Sequence, residues 1–229
     1  MNYYSEKDIR DIVAKVVNSS LGNTPAAESR PKAVDSKEGI LVEVSARHVH
    51  LTVEDVEKLF GKGYRLTPKK MLSQPGEFLS NERVKLVTDK GFMQNVAVLG
   101  PERKRTQVEL SATDAKTLGV KIPVRLSGDL DGSGDMLIIG REGCIKAKEC
   151  AIIAQAHIHM TTEDAQVYQV KDGQRMSVQL ASDRPVVLEN VIARVKDKSK
   201  AFLAMHIDFD EANAACVNDG TKAFIVKRW

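Results

Sequence analysis

The feature that most constrains the fold of this chain is an internal repeat. The segment from Arg47 to Val56 returns as the segment from Ala156 to Ala165, at an offset of 157 − 48 = 109 residues. Both copies keep a His-x-His pair, a threonine and a Glu-Asp pair. Because successive side chains of an extended segment point to opposite faces, the two imidazoles of each pair lie on the same side of the backbone. The repeat therefore predicts two similar half-units, each with a pair of histidines that suggests a metal site.

A later pair of positions extends the repeat. Glu109, in the segment 108–115, corresponds to His206, in the segment 205–212, at an offset of 206 − 109 = 97 residues. Each is followed by an apolar residue and then by an acidic helix start. The two half-units thus predict two groups of metal ligands, which are His48, His50 and Glu109 in the first and His157, His159 and His206 in the second. Together these groups use all five histidines of the chain.

The predicted ligand groups have the chemistry of a zinc site. Imidazoles, alone or with a carboxylate, are typical zinc ligands, and three protein ligands leave one coordination position open, as in catalytic sites. Two such sites close together could clamp an oxyanion between them. The simpler alternative is that each histidine is an ordinary core or surface residue and that Glu109 is a solvated carboxylate.

Length and composition limit the class of protein. With 229 residues, of which 42% are hydrophobic, the chain can form one large domain or two small ones. A formal net charge of +3 lacks the strong basic bias of a nucleic-acid binder. No apolar run approaches the ~20 residues that span a bilayer, and no secretion signal is evident. We therefore expect a cytoplasmic protein with no membrane or nucleic-acid partner, whose three cysteines are reduced and mostly buried.

The first 37 residues differ from the rest of the chain. Residues 1–20 carry apolar side chains at helical spacing and predict an amphipathic helix. Residues 21–37 are polar, contain two prolines and predict a flexible linker. A short amphipathic helix is marginal in water on its own, so it needs a partner surface. That surface belongs either to another protein or to the chain's own core.

From Gly39 onward, short apolar runs recur roughly every ten residues between turn-forming residues, which predicts a mainly β protein built of sheets or barrels. Thr52 and Thr161 predict the N-caps of two short helices, and Gly61 predicts the end of the first. The predicted strands are 40–44, 84–87, 92–99, 107–110, 124–126, 136–139, 151–154, 177–180, 186–188, 191–195, 201–205 and 223–226.

Two further segments suggest anion binding. Arg103, Lys104 and Arg105 form a basic turn shortly before Glu109, and Lys70 adds basic character earlier in the chain. An arginine beside a metal pair would bind phosphate, whereas the alternative is a solvated basic loop. The Gly-rich loop from Ser127 to Gly134 predicts either a hairpin turn or a backbone anion site.

These motifs resemble a known family. From about Ile40 to Val226 the chain is similar to the PduL-type phosphate acyltransferases of bacterial microcompartments, also called phosphate propanoyltransferases. The segments that carry the resemblance are Ser45–Thr52, Gly100–Arg103 leading to Glu109, Arg125–Gly128, His157–Met160 and Met205–His206.

The resemblance implies a fold and a domain organisation. It implies two homologous β-barrels with short capping helices, and an N-terminal strand that is swapped into the C-terminal barrel. Residues 47–154 would form the central barrel, and residues 38–46 together with 155–229 would form the second. The active site would lie between the barrels and hold two metal ions, usually zinc, on the two ligand groups. Residues 1–20 resemble the encapsulation peptides that dock enzymes to microcompartment shell or cargo proteins.

The resemblance also implies an activity and roles for individual residues. Acyl-CoA (propanoyl-CoA or acetyl-CoA) and inorganic phosphate would be interconverted with acyl phosphate and CoA, inside a microcompartment, by a homo-oligomer. We expect catalytic roles for Arg103, Glu109, His157 and His159. We expect Arg103, Ser127 and Lys70 to bind the substrates. A dinuclear zinc hydrolase of a thioester or phosphoester is the alternative enzyme, and a non-catalytic microcompartment component is the alternative without activity.

Overall fold

The computed structural model describes residues 39–197, 199 and 201–228. The predicted helix at 1–20 and the predicted linker at 21–37 lie outside the described residues. The described part is mainly β, as predicted, with fourteen strands and four short helices. The strands are β1 Ile40–Ser45, β2 His48–His50, β3 Pro68–Met71, β4 Phe78–Val87, β5 Phe92–Gly100, β6 Gln107–Leu110, β7 Val124–Arg125, β8 Gly134–Ile139, β9 Cys144–Ala154, β10 His157–Thr161, β11 Arg175–Ala181, β12 Val186–Lys196, β13 Ala204–Asp208 and β14 Lys222–Arg228. The helices are α1 Val53–Phe60, α2 Ala112–Thr117, α3 Thr162–Val167 and α4 Phe209–Ala214.

The strands close into two six-stranded barrels. In the first barrel the order is β4-β5-β2-β6-β9-β8, and β8 returns to β4. Two further strands attach to it, β3 on β4 and β7 on β9. In the second barrel the order is β1-β13-β10-β12-β11-β14, and β14 returns to β1. The predicted pair of β-barrels with short helices is confirmed, and the residue boundaries assigned to the two domains stay a prediction.

The two barrels share one pairing scheme. In the first, β2 pairs in parallel with β5 and antiparallel with β6. In the second, β10 pairs in parallel with β12 and antiparallel with β13. Strand β9 then lies parallel to β6, just as β1 lies parallel to β13. The strand before each His-x-His pair therefore belongs to the opposite barrel, so the predicted swap of the N-terminal strand is confirmed and is reciprocal.

Alternating side chains fill the inside of each barrel. In β10, Ile158 and Met160 are fully buried and pack with Met176, Val178 and Ile225 in one apolar core. The other core lies in the first barrel, among Val49, Leu86, Val98 and their neighbours. Because the histidines of β2 and β10 alternate with these core residues, the histidine side chains point outward from the barrel.

The short helices begin at capping residues that the sequence predicted. The Thr52 and Thr161 side chains accept hydrogen bonds from the backbone N–H groups of Asp55 and Asp164. The Gly61 N–H closes α1 on the carbonyl of Glu57, with a positive φ of 113°. The four helices are eight residues long or shorter, and no helix among the described residues is long and apolar enough to cross a membrane.

Two sequence predictions need correction. The strands on either side of the Ser127–Gly134 loop, β7 and β8, both pair with β9, so the loop is not a hairpin turn. Its Gly128 N–H donates to the side chain of Gln107. The three cysteines are free, as predicted, but only Cys150 is buried. Cys144 begins β9 at the surface, and Cys216 lies exposed in the turn after α4, so "mostly buried" was wrong.

Candidate active site

A cavity of about 620 Å³ lies between the two barrels. Its wall combines the outer faces of β2, β5 and β6 in the first barrel and of β1, β10, β12 and β13 in the second with the end of β3 and the loop that follows it. Every site residue predicted from the sequence lines it, namely His48, His50, Lys70, Arg103, Glu109, Ser127, His157, His159 and His206. The structure therefore brings together residues that are up to 158 positions apart in sequence (206 − 48).

The first ligand group consists of His48 and His50 from β2 and Glu109 from the neighbouring β6. The Nε2 atoms of the two histidines are 3.2 Å apart, and each lies 3.6 Å from Oε1 of Glu109. His48 and Glu109 are register partners, so their side chains share one face. The Nδ1–H of His48 donates to the Ala46 carbonyl at 2.8 Å. Because a carbonyl only accepts, Nδ1 carries the proton and Nε2 keeps its lone pair for a metal.

The second ligand group repeats this geometry in the other barrel. The Nε2 atoms of His157 and His159 are 3.1 Å apart, and the Nδ1–H of His157 donates to the Gln155 carbonyl at 2.8 Å. His206 is the register partner of His157, and its ring centroid is 4.7 Å from that of His159. The Nε2 of His206 lies 3.0 Å from Oε2 of Glu43.

Both groups fit a divalent metal ion. Bonds of about 2.0–2.1 Å in a tetrahedral zinc site place two ligand nitrogens roughly 3.3 Å apart, close to the separation within each His-x-His pair. In each group the ligand atoms all lie within 4.8 Å of one another. The five candidate ligands other than His206 are buried, which excludes bulk water from competing for their lone pairs. The structure thus has two groups of three residues that are suited to hold a metal.

The charge state of four of these six residues also suits a metal. Burial lowers the pKa of His50 to about 4, that of His157 to about 3 and that of His159 to about 2, so these imidazoles are neutral at pH 7. Burial also acts to raise the pKa of Glu109, but His48 and His50 outweigh it and hold that pKa well below the ordinary value. Glu109 is therefore an anion, and metal ligands must be deprotonated in this way.

Arg103 is held in place beside the first group. Its guanidinium donates to Oε1 of Glu77 and to Oγ of Ser127, both at 3.0 Å. Two of its five N–H donors are used in this way, and the others are available to an anion in the cavity. Ser127, predicted to bind substrate, therefore contacts Arg103 directly. Lys70 lies exposed on β3 at the cavity wall.

Among the residues that sequence reasoning missed, Arg194 lines the cavity, and Gln107 is buried beside it and hydrogen-bonded to Glu109 and Ser127. The Nε2 of Gln107 donates to Glu109 and to Ser127, and its Oε1 accepts from the Gly128 N–H. Gln107 precedes Glu109 by two positions on the same strand face, and that spacing was the available signal. Arg194 lies on β12, beside His159 in the parallel ladder. Nothing in the repeat pointed to it, because pairing of β10 with β12 is visible only in the fold.

The chain is similar to proteins of one known family. The family model of phosphate propanoyltransferases matches residues 41–218. Curated phosphate propanoyltransferases that resemble the chain include that of Thermotoga maritima, 50% identical over 190 residues, which cover 82% of this chain and 90% of the relative. That of Leptotrichia buccalis is 49% identical over 187 residues, covering 82% and 88%. That of Alkaliphilus metalliredigens is 45% identical over 222 residues, covering 97% and 99%.

The family-model match spans most of the chain and includes all six candidate metal ligands. The prediction of an acyltransferase enzyme is therefore confirmed. The chain belongs to the phosphate propanoyltransferase family.

Proposed function

We propose that the protein transfers an acyl group, propanoyl or acetyl, between CoA and inorganic phosphate. A phosphate oxygen attacks the thioester carbonyl, a C–O bond forms, and the C–S bond breaks. Acyl phosphate and CoA are the products, and the proton lost by phosphate ends on the thiolate or in solvent. The reaction is reversible, since the same groups bind both pairs of reactants.

One observation carries this proposal more than any other. Two three-residue ligand groups, one from each barrel, face the same cavity as Arg103. An acyl transfer to phosphate needs an anion site and a site for the thiolate or the carbonyl oxygen next to each other. The printed names of the relatives, phosphate propanoyltransferase, describe a reaction with these requirements.

We further propose that both groups hold zinc. His48, His50 and Glu109 would hold one ion, and His157, His159 and His206 the other. When bound, the ions supply Lewis acidity and positive charge to the reacting groups, and zinc also suits a soft sulfur ligand. Because imidazole and carboxylate also accept other divalent metals, elemental analysis of the purified protein has to identify the ion.

The remaining roles belong to the chain's own side chains. Arg103, fixed by Glu77 and Ser127, binds phosphate with its free N–H groups, so little side-chain entropy is lost on binding. Lys70, on the exposed rim of the cavity, interacts with the phosphates of CoA. Gln107 donates hydrogen bonds to both Glu109 and Ser127, and thereby fixes the first ligand group relative to the residue that positions Arg103.

Location and assembly are proposed from the sequence resemblance. We propose that residues 1–20 dock the enzyme to shell or cargo proteins of a bacterial microcompartment and that the enzyme is a homo-oligomer. Fusing residues 1–20 to a fluorescent protein in cells that make microcompartments tests the docking. The fusion should colocalise with the shell, and diffuse fluorescence would contradict the proposal.

The activity is tested with the purified protein and acyl-CoAs of increasing chain length, with and without phosphate. We expect CoA release that requires phosphate and is fastest with propanoyl-CoA or acetyl-CoA. A hydrolase would release CoA at the same rate without phosphate. A non-catalytic microcompartment component would release none under either condition, although its metals were present.

A further inference from the structure

Arg194 faces the cavity from the second barrel. On β12, Ala193 and Val195 pack into or against the apolar core, so the alternate residue Arg194 points outward. It is the register partner of His159 in the parallel β10–β12 ladder, and it lines the cavity. The side chain of Arg194 therefore lies next to the second ligand group, whereas that of Arg103 lies next to the first.

The guanidinium of Arg194 has no protein partner in the part of the chain that the structure describes. It is half-buried, yet it forms no hydrogen bond or ion pair there. The nearby carboxylates are engaged elsewhere, since Glu77 accepts from Arg103, Asp172 accepts from the Val195 N–H, and Glu109 faces the histidines and Gln107. A partly desolvated guanidinium that is bonded to no carboxylate is costly, and an anion bound in the cavity would offset that cost.

The charges around Arg194 locate it within the same electrostatic site. Burial lowers the pKa of Arg194, Glu109 raises it, and Arg103 lowers it again. Arg103 and Glu109 are thus near enough to the Arg194 guanidinium to change its pKa. Two arginines that repel each other in one cavity can together bind a doubly charged anion.

Comparison of the two barrels shows that the fold itself does not need a charge at this position. His48 pairs with Ala97 on β5, as His157 pairs with Ile192 on β12. Two residues further along, the first barrel has Leu99 where the second has Arg194. Leu99 also lines the cavity, so the barrel accommodates an aliphatic side chain at the equivalent position. Arg194 is therefore a departure from the repeat that barrel packing does not explain.

We propose that Arg194 binds the reacting inorganic phosphate together with Arg103, so that one guanidinium from each barrel holds the anion. This inference rests on the proposed function, because it assigns a further phosphate contact to the same site. Arginine suits the role, since its planar fork can donate two parallel hydrogen bonds to phosphate oxygens. Binding from both barrels would also fix phosphate relative to the two ligand groups.

Steady-state kinetics with Arg194→Leu tests the proposal. Leucine is the residue that the first barrel has at the equivalent position, so the packing should tolerate it. We expect the KM for phosphate to rise by about tenfold or more, the loss typical of a charge-assisted hydrogen bond, while the KM for propanoyl-CoA changes by less than about twofold. Arg184→Leu, at an exposed site in the β11–β12 turn, is the matched control and should change neither constant.

Two further measurements complete the test. Calorimetric titration of inorganic phosphate into the metal-loaded variants should show weaker binding for Arg194→Leu than for Arg184→Leu, independently of turnover. Arg194→Lys should recover part of the affinity, because it restores the charge without the fork. If Arg194→Leu does not fold, Arg194→Lys is the variant whose phosphate affinity is measured instead.

The inference is overturned if Arg194→Leu leaves both the phosphate KM and the calorimetric affinity unchanged, or if only the KM for propanoyl-CoA rises. Failure of the proposed function would be seen differently, since the unaltered protein would then release no CoA in the presence of phosphate.

Discussion

The two His-x-His pairs have nearly the same geometry although they lie in different barrels. In each, the Nε2 atoms are 3.1–3.2 Å apart and the first histidine donates its Nδ1–H to a carbonyl two residues earlier. The repeat in the sequence was sufficient to predict these pairs, because spacing by two residues on a strand fixes the shared face. It also predicted Glu109 and His206, whose register partners are the first histidines of the pairs.

Replacing His157 by alanine should remove metal and activity without unfolding the protein. The side chain faces the cavity and not the apolar core, so packing changes little. We expect the metal content to fall by one ion per chain, while the rate of CoA release falls by at least about a hundredfold. Elemental analysis, the CoA assay and circular dichroism measure the three quantities. Gln166→Ala, an exposed change on α3, serves as control, and full activity of His157→Ala would refute the assigned role.

Gln107 shows what a repeat cannot predict. Its counterpart position before His206 is Ala204, so comparison of the two halves gives it no support. Its role depends on where Ser127 and Gly128 lie in the fold, and these residues come 20 and 21 positions later. Arg194 was missed for a similar reason, because only strand pairing places it beside His159.

Gln107→Leu should lower the free energy of unfolding by about 1–3 kcal/mol, since it removes a hydrogen-bond partner from the buried Glu109, the half-buried Ser127 and the Gly128 N–H. Urea denaturation of the metal-free protein measures this loss. The KM for phosphate should also rise, because Ser127 orients Arg103. Unchanged stability together with an unchanged phosphate KM would show that the network has no role.

Strand exchange determines how the elements combine. β1 is inserted between β13 and β14, and Ile40 and Val42 are buried in the second barrel.

The sequence predicted most strands but misplaced several boundaries. Residues 186–188 and 191–195 form one strand through the left-handed Asn190, and β13 begins three residues later than predicted and continues through His206 to Asp208. The polar first half of β9 was missed, because its Lys and Glu residues conceal the alternation.

A chain that starts at Gly39 should fold, whereas a chain that starts at Arg47 should not fold stably. The second chain lacks β1, which leaves the edges of β13 and β14 unpaired and opens the barrel. Circular dichroism and urea denaturation of both chains check this expectation. Equal free energies of unfolding for the two chains would contradict the structural role assigned to β1.

At the level of the complete molecule, the cavity exists only because two closed barrels face each other. Hydrogen bonds across their boundary include that from the Thr113 N–H to Asp210 and two between Gln74 and the Phe202 backbone. Local sequence patterns carry no information about such contacts. The number of barrels and the position of the site came from the family resemblance, whereas periodicity alone left antiparallel sheets open as an alternative.

The buried histidines make the stability of the metal-free protein dependent on pH. The folded pKa values of His50, His157 and His159 lie at about 4, 3 and 2, below the ordinary value of 6.5. Between pH 6.5 and 4 the unfolded chain therefore binds more protons, and the free energy of unfolding should fall as the pH falls. His48, whose pKa is raised, and Glu211, whose pKa is raised to about 7 by burial, act in the opposite direction and offset part of the loss.

We expect this decrease when the chelated protein is denatured with urea at pH 7, 6 and 5. The slope should approach ~1.4 kcal/mol per pH unit for each net proton taken up on unfolding. His159→Gln removes one titrating group and should flatten the slope. Stability that is constant or greater at pH 5 would show that these imidazoles do not titrate as described. Adding zinc back should raise the free energy of unfolding at pH 7, because the ion binds the folded state.

The central claim is that the cavity between the barrels transfers an acyl group to phosphate. It is tested most directly by measuring both products in one reaction, with CoA detected as free thiol and acyl phosphate trapped by hydroxylamine. With propanoyl-CoA and phosphate, we predict equimolar propanoyl phosphate and CoA, and neither product when phosphate is omitted. CoA released without acyl phosphate, at a rate independent of phosphate, would contradict the account.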